Sequence, residues 1–506
     1  MKRKILCLAI SLVVSVVMLS GCSGNKTEEP SKEKHLVWGE TQAVTSLDPS
    51  IDWQGWFTVR YAITETLFKL DKELVPTPWL AESYENVDEN TWKIIIKDNI
   101  KFSNGNLLTS DMVAENLKKI GNVNKRATVF ADATYEVSGN MITIRTTQPY
   151  PTLINDLCDP YASIVDLDAT EDFDKAPIGT GPYMVTNMVE KTTIDLAANE
   201  NYWDKKPNIQ TVQVKFVTDT DTLSMALQSG EVDVAMNLTS DSKAVFEADE
   251  AYKIEEISTS RAYFMYYNLD TINDMAIRKA ISMSIDKEQM KEFLFEGSIT
   301  PAVGAFPMDT AYGGKNLKKT TYDIEEAKKV LDEAGYKDGN GDGILEKNDK
   351  PLNLRIVTYK RLKNDAIATE LQSKLKEIGI NAEVTVHDNS DFFKVGEFDI
   401  GIYSIVTTPV GDPQAFLSTT FASDGITNFG HYKNAEVDEL LASLIREFDS
   451  SKRAEIALDI QQKAMDEYVF DNIGFVNMAM YMKSNITGLA PHPSDYYQMN
   501  ATMDIN

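Results

Sequence analysis

The chain has 506 residues, with 77 acidic against 50 basic side chains and a formal net charge of −27 at neutral pH. A chain of this length buries large hydrophobic cores and is expected to divide into two or more lobes. The acidic balance argues against nucleic-acid binding, which needs a basic face for contacts with phosphates.

The N-terminus has the order of a secretory signal. A basic segment at residues 2–4 precedes an apolar run over residues 5–19, and Leu-Ser-Gly then leads to Cys22. The run is too short for a membrane span, which needs about 20 apolar residues. The triplet and its cysteine resemble a bacterial lipobox, in which the cysteine is acylated; a plain signal peptide with a chance cysteine is the alternative. We predict a signal peptide over 1–21, a lipid anchor at Cys22 and a flexible tether over 22–35.

The cysteine count excludes an internal disulfide in the mature chain. Of three cysteines, Cys7 leaves with the signal and Cys22 carries the lipid, so that Cys158 stands alone. Stability must therefore come from buried cores, and Cys158 is predicted to be a small buried apolar residue.

Hydrophobic periodicity predicts strands that alternate with helices in both halves of the chain, which is typical of an α/β fold with mostly buried sheets. Predicted N-caps are Ser110 and Asp323, and Gly230 is predicted to stop a helix. Strands are predicted at 92–96, 134–137, 141–146, 209–217, 352–358, 381–386, 398–405 and 473–482, and helices at 110–117, 219–228, 274–284, 287–295, 323–334, 365–378 and, as a pair, 434–468.

A series of short motifs lies in order along the body: Thr91–Lys97, Lys101–Gly105, Thr109–Val113, Ala176–Tyr183, Asn199–Trp203, Gly230–Asp233, Ala276–Ala280, Gly411–Pro413 and Asn428–Tyr432. Each motif alone is weak. Together they resemble the extracytoplasmic solute-binding proteins of ABC importers, in the large peptide/nickel class (solute-binding family 5), from about Leu36 to the C-terminus.

The resemblance implies a two-lobed α/β fold of the periplasmic-binding-protein type. Ligand would bind in the cleft between the lobes, and hinge closure would bury it. Lobe I is predicted to comprise 36–262 and 480–506, with an extra subdomain at about 55–175, and lobe II to comprise 263–479. The implied partners are ABC permease and ATPase subunits, for a monomeric receptor anchored outside the cell membrane, with a Gram-positive surface preferred.

Enzyme motifs are missing from the sequence. It holds no His-Glu-x-x-His, no Gly-x-Ser-x-Gly and no phosphate-binding glycine-rich loop, and four histidines in all. We predict a binding protein with no catalytic residue and no catalytic cofactor. The alternatives are a sensory lipoprotein whose closed form contacts a membrane sensor, and a lipoprotein hydrolase, which the missing motifs disfavour.

The residues of these motifs resemble most those of the nickel-binding branch of the family. The resemblance implies that a nickel or related transition-metal ion is held as a complex with small chelators, with arginines on the chelator's carboxylates and aromatic residues around the rest. Short peptides are the alternative ligand. In the peptide branch an aspartate ahead of Gly-Asp-Pro pairs with the peptide amine, whereas the matching run 405–411 holds no acid; Asp495 could substitute.

The family's site residues carry over only in part. Phe57 stands where the nickel branch has a methionine and Phe130 where it has a tryptophan, while Arg126 lies within one position of an expected arginine. The second family arginine has no counterpart. The family's metal-contacting histidine aligns near 421–428, so that His431 is preferred as a rim residue over a direct nickel ligand.

An aromatic cluster at residues 53–57 follows a family cleft segment and is predicted to form a cleft wall. Tyr403, Tyr496 and Tyr497 are predicted to face it. The predicted ligand-binding set is Trp53, Trp56, Phe57, Arg126, Phe130, Tyr403, Thr407, Thr408, His431 and Tyr496.

Residues 338–349 have the spacing of a calcium-binding loop, with Gly343 at the sharp turn. A structural Ca²⁺ would stabilise the fold there. Asp-Gly and Asn-Gly repeats also form plain turns, which is the alternative. The predicted ligands are Asp338, Asn340, Asp342, Ile344 through its carbonyl, Glu346 and Asp349.

Overall fold

The structure is a computed structural model that describes residues 33–506. The predicted signal peptide, Cys22 and most of the predicted tether lie outside the described residues, and the first strand begins at His35, the last residue assigned to that tether. None of the helices in the described range combines the length and the apolar character that crossing a membrane requires.

Strands and helices alternate through the chain, as the periodicity predicts. The strands are β1 (His35–Glu40), β2 (Phe68–Leu70), β3 (Pro76–Pro78), β4 (Ala81–Asp88), β5 (Thr91–Ile96), β6 (Thr134–Ser138), β7 (Met141–Arg145), β8 (Tyr183–Val189), β9 (Thr193–Ala198), β10 (Thr211–Phe216), β11 (Val234–Met236), β12 (Tyr252–Tyr267), β13 (Ile299–Pro301), β14 (Glu346–Lys347), β15 (Lys350–Pro351), β16 (Asn353–Tyr359), β17 (Asn381–His387), β18 (Ile400–Val406), β19 (Phe470–Lys483), β20 (Ile486–Thr487) and β21 (Asp504–Ile505). The helices are α1 (Gly55–Arg60), α2 (Ser110–Val123), α3 (Val129–Asp132), α4 (Leu153–Asp156), α5 (Thr220–Ser229), α6 (Ser240–Glu247), α7 (Met275–Met283), α8 (Lys287–Gln289), α9 (Ile324–Glu333), α10 (Asn364–Glu377), α11 (Phe392–Val395), α12 (Gln414–Phe421), α13 (Ala435–Leu444) and α14 (Ser450–Asp466).

One large sheet runs through both halves of the molecule. Its strand order is β17-β16-β18-β12-β19-β11-β1-β10-β9-β8, and β13 pairs with β19 from off this path. The long strands β12 and β19 pair antiparallel at its centre, and their register shifts between Ser258 and Phe264. Because bulges bend a strand and increase its twist, these two crossover strands are bent where the chain passes from one half to the other.

Separate hydrophobic cores define the two lobes. Lobe I has one core around Trp38 and a second around Trp92, the second belonging to the four-stranded sheet β4-β5-β7-β6 and helix α2. Lobe II has cores around Ile356 and Phe416. Cys158 is buried in lobe I, as predicted. The exact lobe boundaries, at 262/263 and 479/480, stay predictions.

Helix ends follow the local chemistry of the sequence. Asp323 caps α9 by accepting the N–H of Glu326, and Gly230 ends α5 at φ +78°, a left-handed conformation that favours glycine. The prediction of Ser110 as an N-cap was wrong by one residue, because Thr109 accepts the N–H of Met112 and Ser110 is already helical. The predicted helix over 287–295 is α-helical only at its start and continues with π-helical hydrogen bonds.

Candidate ligand-binding site between the lobes

A cavity of about 500 Å³ lies against the bent part of the crossover strands. Strands β12 and β19, helix α1, the loop after β16 and the C-terminal segment all contribute to its wall. Its size is within the range of about 300–1,000 Å³ that small-molecule sites occupy. Its lining includes the side chains of Trp56, Lys243, Glu256, Arg261, Lys363 and Asp495.

Arg261 is the central charged group of the cavity. It stands at the bulge of β12, opposite Val406 of β18, and its half-buried side chain projects beside Trp56, with 5.8 Å between the guanidinium carbon and the ring centre. Within residues 33–506 its guanidinium has no hydrogen-bond or ion-pair partner. Burial lowers the pKa of Arg261 and the neighbouring Arg361 lowers it further, whereas Asp495 raises it. An anionic group entering the cavity would give the guanidinium a hydrogen-bonded partner of opposite charge.

Asp495 belongs to a buried ion network behind the cavity. Its carboxylate lies 2.8 Å from Nη2 of Arg60, whose Nη1 is 3.5 Å from Glu40, and it accepts a hydrogen bond from Gln498 at 2.9 Å. Burial raises the pKa of Asp495, whereas Arg60 and Arg261 lower it. Asp495 is therefore already paired by the protein, in contrast to Arg261.

The two lysines that line the cavity interact with other groups of the protein. Lys243 is 2.6 Å from a carboxylate oxygen of Glu256, and Lys363 donates to the carbonyl of Leu294 at 2.8 Å. Arg261 is therefore the cation of this wall whose charged group makes no hydrogen bond to the described part of the protein.

Trp56 gives the cavity an aromatic wall. It lies on α1, which approaches the segment after α4 so closely that a Cβ on Gly55 would overlap the carbonyl oxygen of Pro160. The Trp56 ring is 5.6 Å from Trp53 and 5.8 Å from Tyr496. Of the predicted ligand-binding set, Trp56 is the member that lines this cavity.

Two other predicted residues form a neighbouring group. Trp53 is 50% exposed, and the guanidinium carbon of Arg126 lies 3.7 Å from its ring centre. Arg126 is ion-paired with buried Asp159. Its charge is therefore balanced within the protein.

The remaining aromatic predictions lie in cores. Phe57 is 5% exposed and Phe130 fully buried, each within a hydrophobic core of lobe I. Tyr496 is fully buried behind Trp56. Tyr403 packs among the aromatic rings of lobe II, with Phe393 at 5.2 Å.

The two predicted threonines are buried in hydrogen bonds of the scaffold. The N–H of Thr407 donates to the carbonyl of Ser260 at 2.9 Å, and the hydroxyl of Thr408 is 3.0 Å from that of Tyr312. His431 lies apart from the cavity, on a surface depression of lobe II, where its Nδ1 is 2.7 Å from Asp270. Its side chain is 44% exposed.

Sequence reasoning missed Arg261. The available signal was an arginine placed between Ser258-Thr-Ser and the apolar run 262–267, next to the predicted boundary between lobes I and II. A charged residue inside an otherwise buried strand is a candidate binding residue.

The predicted calcium loop is an internally hydrogen-bonded turn. The Asp338 carboxylate accepts the N–H groups of Gly341 and Gly343 at 2.7 and 3.0 Å, and Asp342 accepts that of Ile344 at 2.8 Å. Asp349 lies in the two-residue turn that joins β14 to β15, at φ +60°.

These hydrogen bonds form the turns that either alternative requires, so the calcium ligand set, Asp349 included, stays a prediction. Across residues 33–506, no group of three or more His, Cys, Asp or Glu side chains is arranged to hold a metal ion.

A family model described as bacterial extracellular solute-binding proteins, family 5 (middle), matches residues 75–428, well over half of the sequence. The chain belongs to this family. The fold of a family-5 solute-binding protein, with two lobes and a cleft between them, agrees with the sheet and cores described above and confirms the fold that the resemblance implies.

The relatives of this family-5 protein include receptors named for nickel and for peptides. It is 27% identical to the nickel-binding protein NikA of Staphylococcus aureus over 96% of each chain, and 25% identical to the oligopeptide-binding protein AppA of Bacillus subtilis over 98% of each. A crystal structure of a nickel ABC transporter protein from Bacillus halodurans superposes with a TM-score of 0.84 at 27% identity, covering 94% of this chain and all of that one. A structure of Staphylococcus aureus NikA in complex with Ni(L-His)2 gives a TM-score of 0.75 at 25% identity, with 94% and 100% coverage.

Proposed function

We propose that this solute-binding protein is the receptor of an ABC importer and captures nickel, or a related transition metal, as a chelate with small carboxylate-bearing molecules. The observation that carries the proposal is Arg261, a guanidinium in the inter-lobe cavity that makes no hydrogen bond or ion pair within residues 33–506. A chelate brings its own metal ligands, so the protein needs to supply a counter-charge for free carboxylates and a flat apolar surface. Arg261 and Trp56 supply these two elements.

The named relatives support this choice of ligand. Both the Staphylococcus aureus and the Bacillus halodurans proteins are named for nickel, and the former is seen with Ni(L-His)2. In a bis-histidine complex whose metal is held through nitrogen, the carboxylates remain free to meet an arginine. A binding role without catalysis agrees with the family, whose members are solute-binding proteins.

Short peptides are the second candidate ligand, because AppA is named for oligopeptides. A peptide amine needs an unpaired carboxylate. Asp495 reaches the cavity, but Arg60 already pairs with it at 2.8 Å and Arg261 adds further positive charge beside it. These surroundings disfavour an ammonium group and favour an anion.

Calorimetric titration of protein purified in the presence of chelators tests the proposal. We expect no binding of L-histidine alone, weak or no binding of Ni²⁺ alone, and tight binding when both are added at one to two. Trialanine and a mixture of longer peptides serve as competing ligands. Tight binding of peptides together with no response to the nickel–histidine mixture would overturn the proposal in favour of the peptide receptor.

We propose further that Cys22 carries the lipid that holds a monomeric receptor at the outer face of the cell membrane, near its permease and ATPase partners. The lipobox-like Leu-Ser-Gly-Cys and the extracellular nature of the family support this. Cys22→Ala should release the protein from membranes into the medium, as measured by fractionation and by mass spectrometry of the N-terminal peptide. Retention of the variant in the membrane fraction would contradict a lipid anchor at this residue.

A further inference from the structure

Two loops of lobe II reach across the cleft and contact lobe I beyond the cavity. We call residues 407–413 and 445–449 the latch loops. In the first, the carbonyl of Val410 accepts a hydrogen bond from the side-chain amide of Asn155 in lobe I at 3.0 Å. In the second, the ring of Phe448 packs on the core of lobe I, with its centre 6.1 Å from that of Trp92.

Gly411 shows how closely the first latch loop approaches lobe I. It has φ +72°, and a Cβ built on it would overlap the carbonyl oxygen of Leu74 and press against the side chain of Leu70. The closed arrangement therefore requires a residue without a side chain at this position. We take this arrangement, in which the two lobes meet in van der Waals contact across the cleft, as the closed state.

Arg453 of α14 joins the two latch loops. Its Nε and Nη2 donate to the two carboxylate oxygens of Asp412 at 2.9 and 2.7 Å, and Nη2 also donates to Gln414 at 3.1 Å. Its Nη1 donates to the carbonyls of Leu444 and Glu447 at 2.7 and 2.8 Å. All five N–H donors of the buried guanidinium are thus used, three toward the start of α12 and two toward the end of α13.

We infer that Arg453 is a positioning residue for lobe closure: it fixes the two latch loops as one surface, and this surface holds lobe I closed over the cavity. No latch-loop residue lines that cavity. Contacts that exist in the closed state and not in the open one shift the population toward the closed state, and they lengthen the time for which a ligand is retained. The retention part of this inference rests on the proposed function, whereas closure can be measured without any ligand.

Small-angle X-ray scattering of the ligand-free protein and the release rate of nickel–histidine in a chase experiment test the inference. The variants are Phe448→Ala and Arg453→Lys. Both should enlarge the radius of gyration and speed release by about tenfold, the change expected when a half-buried phenyl contact is lost from one state only.

The matched control is Arg278→Lys. Arg278 is also buried in lobe II and also donates to backbone carbonyls, those of Ile272, Glu467 and Tyr468 among them, but it lies within the lobe. The Arg278→Lys substitution should lower the free energy of unfolding and leave the radius of gyration and the release rate at wild-type values. If Arg278→Lys speeds release as much as Arg453→Lys does, general destabilisation is the cause and the inference is overturned.

A second pair of variants tests the close approach at Gly411. Gly411→Ala should hold the lobes open, whereas Gly335→Ala, which has φ +89° but nothing within 4 Å of its Cβ, should not. Wild-type radii of gyration for both Phe448→Ala and Gly411→Ala would refute the latch. If the wild-type protein does not bind nickel–histidine, the proposed function fails, and the radii of gyration alone decide on the latch.

Discussion

Arg261 faces the ring of Trp56 at 5.8 Å, so that a crossover strand and the first helix present a cation and an aromatic surface to the same cavity. The guanidinium has no carboxylate of its own, although Asp495 lies close by, because Arg60 binds that carboxylate from behind. Arg261 and Trp56 therefore present a guanidinium without a hydrogen-bond partner among the described residues and an apolar ring face to a ligand in the cavity.

Replacement of this charge gives the first prediction. Arg261→Gln should weaken nickel–histidine binding between tenfold and a hundredfold, because a charge-assisted hydrogen bond contributes about 1.5–3 kcal/mol. Calorimetric titration measures the change. Arg145→Gln, which removes an exposed arginine of the β5–β7 pair, is the control and should bind as wild type does. If Arg261→Gln and wild type bind nickel–histidine with equal affinity, Arg261 does not contribute to ligand binding.

The second prediction concerns the ion network behind the cavity. Arg60→Met removes the ion-pair partner that Glu40 and Asp495 share and should lower the free energy of unfolding by about 3–5 kcal/mol. Urea unfolding at pH 7.5 measures this loss. Arg145→Met, which breaks an exposed pair with Glu136, should cost at most about 1 kcal/mol. A similarly small loss for Arg60→Met would show that the network adds little to stability.

The third prediction concerns a buried carboxyl of lobe I. Glu65 accepts hydrogen bonds from Trp203, Thr180 and Tyr202 at 2.7, 2.8 and 2.9 Å, and burial raises its pKa to about 7. The folded protein therefore holds this proton more tightly than the unfolded chain, in which the pKa is near 4.5. The stabilisation is complete below the unfolded pKa and is lost as the pH rises through about 7.

Glu65→Gln should remove this pH dependence, because an amide does not ionise and still accepts hydrogen bonds through its oxygen. Between pH 4.5 and 8, the unfolding free energy of wild type should fall relative to the variant by about 3 kcal/mol. Parallel urea titrations at four pH values measure the difference. If the difference in unfolding free energy between the two proteins stays constant with pH, Glu65 is ionised in the folded protein at every pH tested.

The fourth prediction concerns the loop at residues 338–349. Because its carboxylates already accept backbone N–H groups, 10 mM Ca²⁺ should leave the unfolding midpoint unchanged. A site with a Kd of 10⁻⁴–10⁻³ M would instead add about 1.4–2.7 kcal/mol at this concentration. Such a gain, absent from Asp338→Asn, would instead support the calcium prediction.

The sequence predicts much of the fold because its signals are local. Alternation at Trp92, Ile94 and Ile96 defines β5, and Asp323 and Gly230 mark helix ends through hydrogen bonds and backbone conformation within a few residues. The same locality explains the small error at Ser110, because neighbouring threonine and serine side chains are both able to cap a helix.

The site is less predictable because it depends on distant pairing. Arg261 reaches the cavity through a bulge between strands more than two hundred residues apart in sequence, and no local pattern reveals that register shift. Phe130 was inferred from alignment with a family tryptophan, which specifies a position along the chain but not which way the side chain points. The fold turns that ring into the core of lobe I, whereas Trp56 stays at the surface of the cavity.

The bulge at Ser258–Phe264 interrupts the hydrogen-bond ladder of β12 at the same point where Arg261 meets the cavity. The bend of the crossover strands and the guanidinium that we propose for ligand binding consequently belong to one short piece of backbone. A ligand bound to this guanidinium would therefore act on the same backbone at which the two lobes join. Tuning the selectivity of such a receptor at this residue will alter its range of motion as well.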